Sequence, residues 1–155
     1  MNTHRIGLRF EMELKKKLNE SGLICLNLGY NEIGDLVVVN GKTRIIECKT
    51  VHNDVYYMSK NPKQRDKLFE LSKHNISVYL VVKYIRGKQK SIIKFFNLQD
   101  TPDSVHHMFL KDSFYGYSLE DFIHIITIFQ QIFLSPCLAC KFIYRIFSTI
   151  HEYIY

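Results

Sequence analysis

Glu47 and Lys49 stand two residues apart at the end of the stretch Ile45-Ile46-Glu47-Cys48-Lys49-Thr50. The leading β-branched pair predicts a strand. Side chains alternate across a strand, so Glu47 and Lys49 leave one face and Cys48 the other. A carboxylate and an ammonium at the end of an otherwise apolar strand are costly to bury. They make sense as a structural ion pair or as a site that handles another charge. Three further polar residues could join them. Asp35 opens the apolar run Leu36-Val37-Val38-Val39, Glu11 borders a helical apolar stripe, and Gln64 continues a second such stripe by one turn.

The elements that must position these residues follow from periodicity. Residues 5–21 predict a helix, with Phe10, Leu14 and Leu18 on one face, Lys15-Lys16-Lys17 toward water and Gly22 as its stop. Residues 23–28 predict a short strand. The run at 36–39 suits a strand buried on both faces, Asn40-Gly41 signals a hairpin, and 42–51 is the return strand. The parity of this hairpin decides the site. A two-residue Asn-Gly turn would pair Asp35 with Ile46 and turn Glu47 to the other face. For Asp35 and Glu47 to share a face, the register must slip by one, through a three-residue loop or a bulge near Gly41 or Gly34. That slip is the expectation.

Residues 52–60 read as a polar, irregular loop. Asn61-Pro62 then opens a helix that runs to about His74, with Leu68 and Leu71 buried and Asn75 as a left-handed stop. Residues 76–85 and 91–98 are strands joined at Arg86-Gly87-Lys88. The order helix, three strands, helix, two strands predicts an α/β fold with a mixed central sheet flanked by helices. Thr101-Pro102-Asp103 marks a boundary between a core at 1–100 and an extension at 101–155. Residues 106–117 suggest a short helix and loop. Ser118-Leu119-Glu120-Asp121 is a capping box for a helix with Phe122, Ile126, Phe129 and Phe133 in its seam. Ser135-Pro136 restarts a second helix with Ala139, Ile143, Ile146, Ile150 and Tyr153, giving a C-terminal helical hairpin that packs on the domain or on a second subunit.

Of the 155 residues, 46% are hydrophobic, enough for a packed core, and the formal charge is +6. The charge is uneven: residues 1–100 hold 18 Lys and Arg against 10 Asp and Glu, whereas 101–155 hold 3 against 5. A basic front suits a polyanion, and an apolar tail suits protein contact. No leader or membrane-spanning run is evident, and four Cys without a secreted framework point to a reducing, cytoplasmic setting. Cys137-x-x-Cys140 has no second ligand pair nearby and reads as helix packing, as does His106-His107 as a loop or cap. No Ser-His-Asp set, phosphate-cradling glycine loop or dinucleotide fingerprint is present.

Taken together, Gly7-Leu8-Arg9-Phe10-Glu11, Gly34-Asp35-Leu36-Val37-Val38, Ile46-Glu47-Cys48-Lys49-Thr50 and Gln64 with Leu68 resemble the PD-(D/E)XK nuclease superfamily, and within it the small archaeal and viral Holliday junction resolvases. The resemblance covers residues 5–98 and implies a restriction-endonuclease-like core. It departs at Gly34, where the family name has Pro, and at residues 29–33, which lack a Ser-Gly-Gly-like segment. It implies an Mg²⁺-dependent endodeoxyribonuclease, with Mn²⁺ as a substitute. Asp35, Glu47 and the backbone carbonyl of Cys48 would bind the metal. Glu11 would reach a second ion or orient waters, Lys49 would hold or help deprotonate the attacking water, and Gln64 would position Lys49 or the phosphate. Arg5, Arg9, Lys60, Lys63, Arg65 and Lys67 are the expected phosphate contacts, the partner is branched DNA, and the assembly is a homodimer. The alternatives are a restriction- or repair-type nuclease on duplex or flap DNA, and a non-catalytic DNA-binding protein that keeps the fold.

Overall fold

A computed structural model describes residues 3–29, 34–58, 61–74, 76–87, 89–101, 107–110 and 116–134; of Thr3 and residues 129–134 it describes the backbone alone. The main sheet holds six strands in the spatial order β1 (Ile24–Asn27), β2 (Leu36–Asn40), β3 (Lys42–Val51), β5 (Ser77–Tyr84), β6 (Ile92–Asn97) and β8 (Gly116–Tyr117). Among the described residues only β3 and β5 pair in parallel. The crossover between them carries β4 (Val55–Tyr57) and the helix α2 (Pro62–Lys73). Helices α1 (Thr3–Glu20) and α3 (Leu119–Leu134) complete the described elements.

Each face of the sheet has its own apolar cluster. On one, Phe10, Leu14 and Leu18 of α1 meet Leu36, Val38, Ile46 and Cys48, joined by Phe95 and by Phe122 and Ile126 of α3. Burying each such side chain contributes about 1.5–3 kcal/mol before the cost of ordering the chain. On the other, Leu68 and Phe69 of α2 meet Val78, Leu80, Val82 and Phe96. Strand alternation places Glu47 and Lys49 on this second face, opposite Leu80 and Val82 of β5. Packing beyond residue 101 is continuous with the core, since Phe122 stacks on Phe95 at 4.1 Å between ring centroids. The expected capping box opens α3, with Asp121 N donating to Ser118 Oγ at 3.0 Å and Ser118 N to Asp121 Oδ2 at 3.1 Å.

The hairpin register has slipped as required. Leu36 faces Ile46 and Asn40 faces Lys42, which leaves Gly41 at the tip with φ +70° and brings Asp35 level with Glu47 by count. Arg44, almost fully buried, clamps the tip: Nη1 donates to the carbonyls of Asn40 at 3.3 Å and Lys42 at 3.1 Å. At the other end of β2 the chain enters through Gly34 at φ +99°. A Cβ there would lie 2.5 Å from Ile45 Cγ2, so this position rejects side chains. Proline, locked near φ −65°, cannot take that conformation, which accounts for Gly rather than Pro before Asp35.

Three expectations are corrected. β2 is not buried on both faces: Leu36 and Val38 are buried on the α1 side, but Val39 on the other is 41% exposed, because the apolar cluster under α2 draws no residue from β2. Residues 52–60 are not all irregular, since Val55, Tyr56 and Tyr57 form β4. Nor is 106–117 a helix and loop among the described residues. It contributes β8 and β7 (His107–Phe109), and β7 pairs with β4 in a separate two-stranded sheet. Both misreadings have one cause: strands this short take their stability from a partner distant in sequence, which local pattern does not reveal. The second helix of the expected hairpin, with Cys137 and Cys140, lies outside the described residues, as do Asn75 and His106.

Candidate active site

Four of the five candidate side chains come from three elements that end at one side of the sheet, and the fifth from α1 beside them. Glu47 is 2% exposed on β3. Its Oε1 accepts from the ammonium of Lys49 and, at 2.8 Å, from Gln64 Nε2. Gln64 is itself held by the helix cap of α2. Asn61 Nδ2 donates to Gln64 Oε1 at 3.2 Å, and Asn61 Oδ1 accepts from Gln64 N at 3.4 Å. The Asn-Pro helix start therefore does more than begin α2: it points the Gln64 amide at Glu47.

Asp35 sits where β2 begins. Its N–H donates to the carbonyl of Ile46 at 2.8 Å, and its Oδ2 accepts from Cys48 N at 2.7 Å. In an extended strand the N–H and C=O of one residue leave toward the same neighbour. The Cys48 carbonyl thus leaves β3 on the side of β2, past the end of the β2 ladder. Glu11 approaches from α1 across a cleft of about 470 Å³ lined by His4, Leu8, Leu28, Gly34 and Asp35.

The electrostatics of the three carboxylates share one sign. Burial pushes Glu47 above the usual carboxylate range; Lys49 and Gln64 pull it back and Asp35 adds to the rise. Burial likewise raises Asp35 against the pull of the Cys48 N–H and Lys49. Glu11 is raised by burial and then by Asp35, with Lys49 and His4 opposing. Burial alone would lower Lys49, yet the Glu47 carboxylate outweighs it and holds the amine protonated. The site carries more negative charge than its own amine neutralises.

That surplus is what a divalent cation would relieve, and the oxygen donors present are of the hard type that Mg²⁺ prefers. Among the described residues no three His, Cys, Asp or Glu side chains close on a common point. Asp35 and Glu47, with a main-chain carbonyl, are donors that could hold such an ion, and both Glu47 and Glu11 feel the charge of Asp35.

The expected phosphate contacts divide. Arg5 and Arg9 are exposed one turn apart on α1, and Lys63 and Lys67 are exposed on α2. Arg65 lines the crevice beside Glu47 and Lys49 but gives its guanidinium to Asp66 at 2.6 Å. Lys60 lies outside the described residues. Tyr56 was not anticipated. It lines the same crevice and feels the charges of Lys49 and Glu47, with burial the main cause of its raised pKa. The run Val55-Tyr56-Tyr57, three strand formers interrupting a polar segment, was the signal for it. Among the described residues no helix is long and apolar enough to cross a membrane.

Comparison with known proteins places the fold. The chain is similar to the 1.6 Å structure of Archaeoglobus fulgidus Hjc, a Holliday junction resolvase from an archaeal hyperthermophile, with a TM-score of 0.58 and 20% identity over 76% of this chain and 95% of that one. No family model matches the chain, and neither does any curated protein. At this identity the likeness is one of architecture alone: a mixed sheet flanked by helices.

Proposed function

We propose that this protein is a metal-dependent DNA endonuclease that hydrolyses phosphodiester bonds, and that it acts on four-way junctions as a homodimer. The observation that carries the reading is the meeting of Asp35, Glu47, Lys49 and Gln64 at one side of the sheet, with excess negative charge buried among them. Lys49 and Gln64 both fall on Oε1 of Glu47, so Oε2 is the oxygen a cation would take, together with Asp35 and the Cys48 carbonyl. When bound, Mg²⁺ would lower the pKa of an attacking water and neutralise charge developing on phosphorus.

The residues of the chain do the rest. Lys49 is held protonated by Glu47, so its part is that of a cation facing the scissile phosphate rather than that of a base. Gln64, fixed by Asn61, holds Glu47 by the same oxygen that receives Lys49. Glu11, close enough to interact electrostatically with both Asp35 and Lys49, would orient water around the ion. Arg5, Arg9, Lys63 and Lys67 would contact phosphates on either side, where they position the strand without reading its sequence. A two-fold dimer suits a junction because the junction presents two equivalent strands.

Purified protein, incubated with end-labelled four-way junction, flap and duplex in Mg²⁺, tests this directly. Paired nicks in the junction are expected from wild type and not from Glu47→Ala or Lys49→Ala. Equal activity of those variants would overturn the assignment, and preferential cutting of flap or duplex would move it to a repair- or restriction-type nuclease.

A further inference from the structure

The small sheet made by β4 and β7 has two unlike faces. Alternation sends Tyr56 and Met108 inward: Met108 is 1% exposed in the α2-side core, and Tyr56 lines the crevice that holds Glu47, Lys49 and Gln64. The same alternation sends Tyr57, His107 and Phe109 outward. Tyr57 is 40% and Phe109 46% exposed, and His107 is exposed between them. Their rings form a continuous strip. Tyr57 meets His107 edge-on at 5.0 Å between centroids, and His107 lies 29° from the plane of Phe109 at 6.1 Å.

We infer that this strip stacks a nucleobase left unpaired at a branch point near the scissile phosphate, so that branched DNA is held in preference to continuous duplex. The inference rests on the nuclease reading and extends it. Three observations favour a base over an apolar protein segment. The strip is made of flat rings, and aromatic side chains hold any base through its π-face without regard to sequence. It is one residue along β4 from Tyr56, which lines the catalytic crevice, but on the other face of the small sheet, so a base there belongs to a nucleotide a few positions from the cut. Its surroundings suit a polyanion: the charge of Asp54, just before β4, is matched by Arg86 at 3.1 Å, and Lys63 is exposed in the first turn of α2, the helix that follows β4.

The test uses full-length protein without metal, so that nothing is cut. The probe is 2-aminopurine, placed in the single-stranded arm of a flap beside the branch or at the same position in continuous duplex. Wild type is expected to quench the flap probe and to bind the flap about tenfold more tightly than the duplex. The double variant Tyr57→Val and Phe109→Val keeps strand formers in place and should lose both the quenching and the preference, whereas Tyr57→Phe should retain them. Circular dichroism checks that the double variant is folded. Equal affinity for flap and duplex, or undiminished quenching by the folded double variant, would overturn the inference. So would a double variant that changes oligomeric mass in solution but not DNA binding, since the strip would then be a protein contact. Stacking by a wild type that cuts no DNA in Mg²⁺ would support the platform while removing the nuclease reading, so the two failures are distinct.

Discussion

Two lysine–carboxylate pairs lie on the central strands, and they are opposites. Lys83 of β5 reaches Glu13 of α1 and ties helix to sheet. Glu13 also receives Lys17 at 3.0 Å, and although burial works against ionisation, the two amines hold its pKa below the usual carboxylate range. Lys49 reaches Glu47 with similar closeness, yet Glu47 stays above that range, because it is buried almost completely and has Asp35 for a neighbour. One carboxylate is satisfied by its lysines, the other is not. The teaching is that an ion pair does not announce its role by its geometry. The structural pair leaves its charge settled; the candidate catalytic pair leaves negative charge in want of a further cation.

The largest predicted contrast is in activity. Lys49→Met should lower junction cleavage by about 10²–10³-fold, the usual cost of removing a group that meets transition-state charge, while Lys83→Met should cut at the wild-type rate. Comparable losses in both, measured in single-turnover assays at saturating Mg²⁺, would erase the distinction. Next comes the residue that keeps Asp35 beside Glu47. Gly34→Ala must strain φ and meet Ile45, costing about 1–3 kcal/mol from the backbone alone. Denaturant unfolding would read that cost, and an unchanged midpoint would argue against the tight entry to β2.

The pH dependence should run in opposite directions for the two carboxylates. Glu47, whose folded pKa is raised, binds protons more tightly folded than unfolded. Its contribution in metal-free protein is therefore lost as pH rises from about 4.5 through the raised value. Glu13, whose folded pKa is lowered, contributes above its unfolded value and loses that contribution as pH falls. Melting temperatures against pH in chelator should thus decline less steeply on the alkaline side for Glu47→Gln, and less steeply on the acid side for Glu13→Gln. Added Mg²⁺ should stabilise wild type at neutral pH and leave Glu47→Gln nearly unmoved. The smallest effects are two. Asp35→Asn, which keeps an acceptor for the Cys48 N–H, should raise metal-free stability by about 0.5–1 kcal/mol, as expected where function holds like charges together. Glu13→Gln should cost no more than about 1 kcal/mol, since Glu13 is partly exposed. A metal-free Asp35→Asn protein less stable than wild type would mean that its charge is already compensated.

Much of this site was legible before any fold was known. The alternation around Glu47-Cys48-Lys49, the helix start at Asn61-Pro62 and the stripe ending at Gln64 are local signals, since each rests on the period of one element. The register demand on Asp35 was legible too, as a condition: two carboxylates on one face require one residue more than a simple Asn-Gly turn supplies. What local pattern could not show is how the condition is met, with Arg44 clamping the hairpin tip and Gly34 admitting the chain at positive φ. Nor could it show β4 and β7, each three residues long and paired with the other across some fifty positions of chain. Sequence by itself determined which groups could do chemistry and which elements carry them. Tertiary structure alone decided how much charge is left unbalanced when they meet, because desolvation depends on what packs above a side chain and not on its neighbours along the chain.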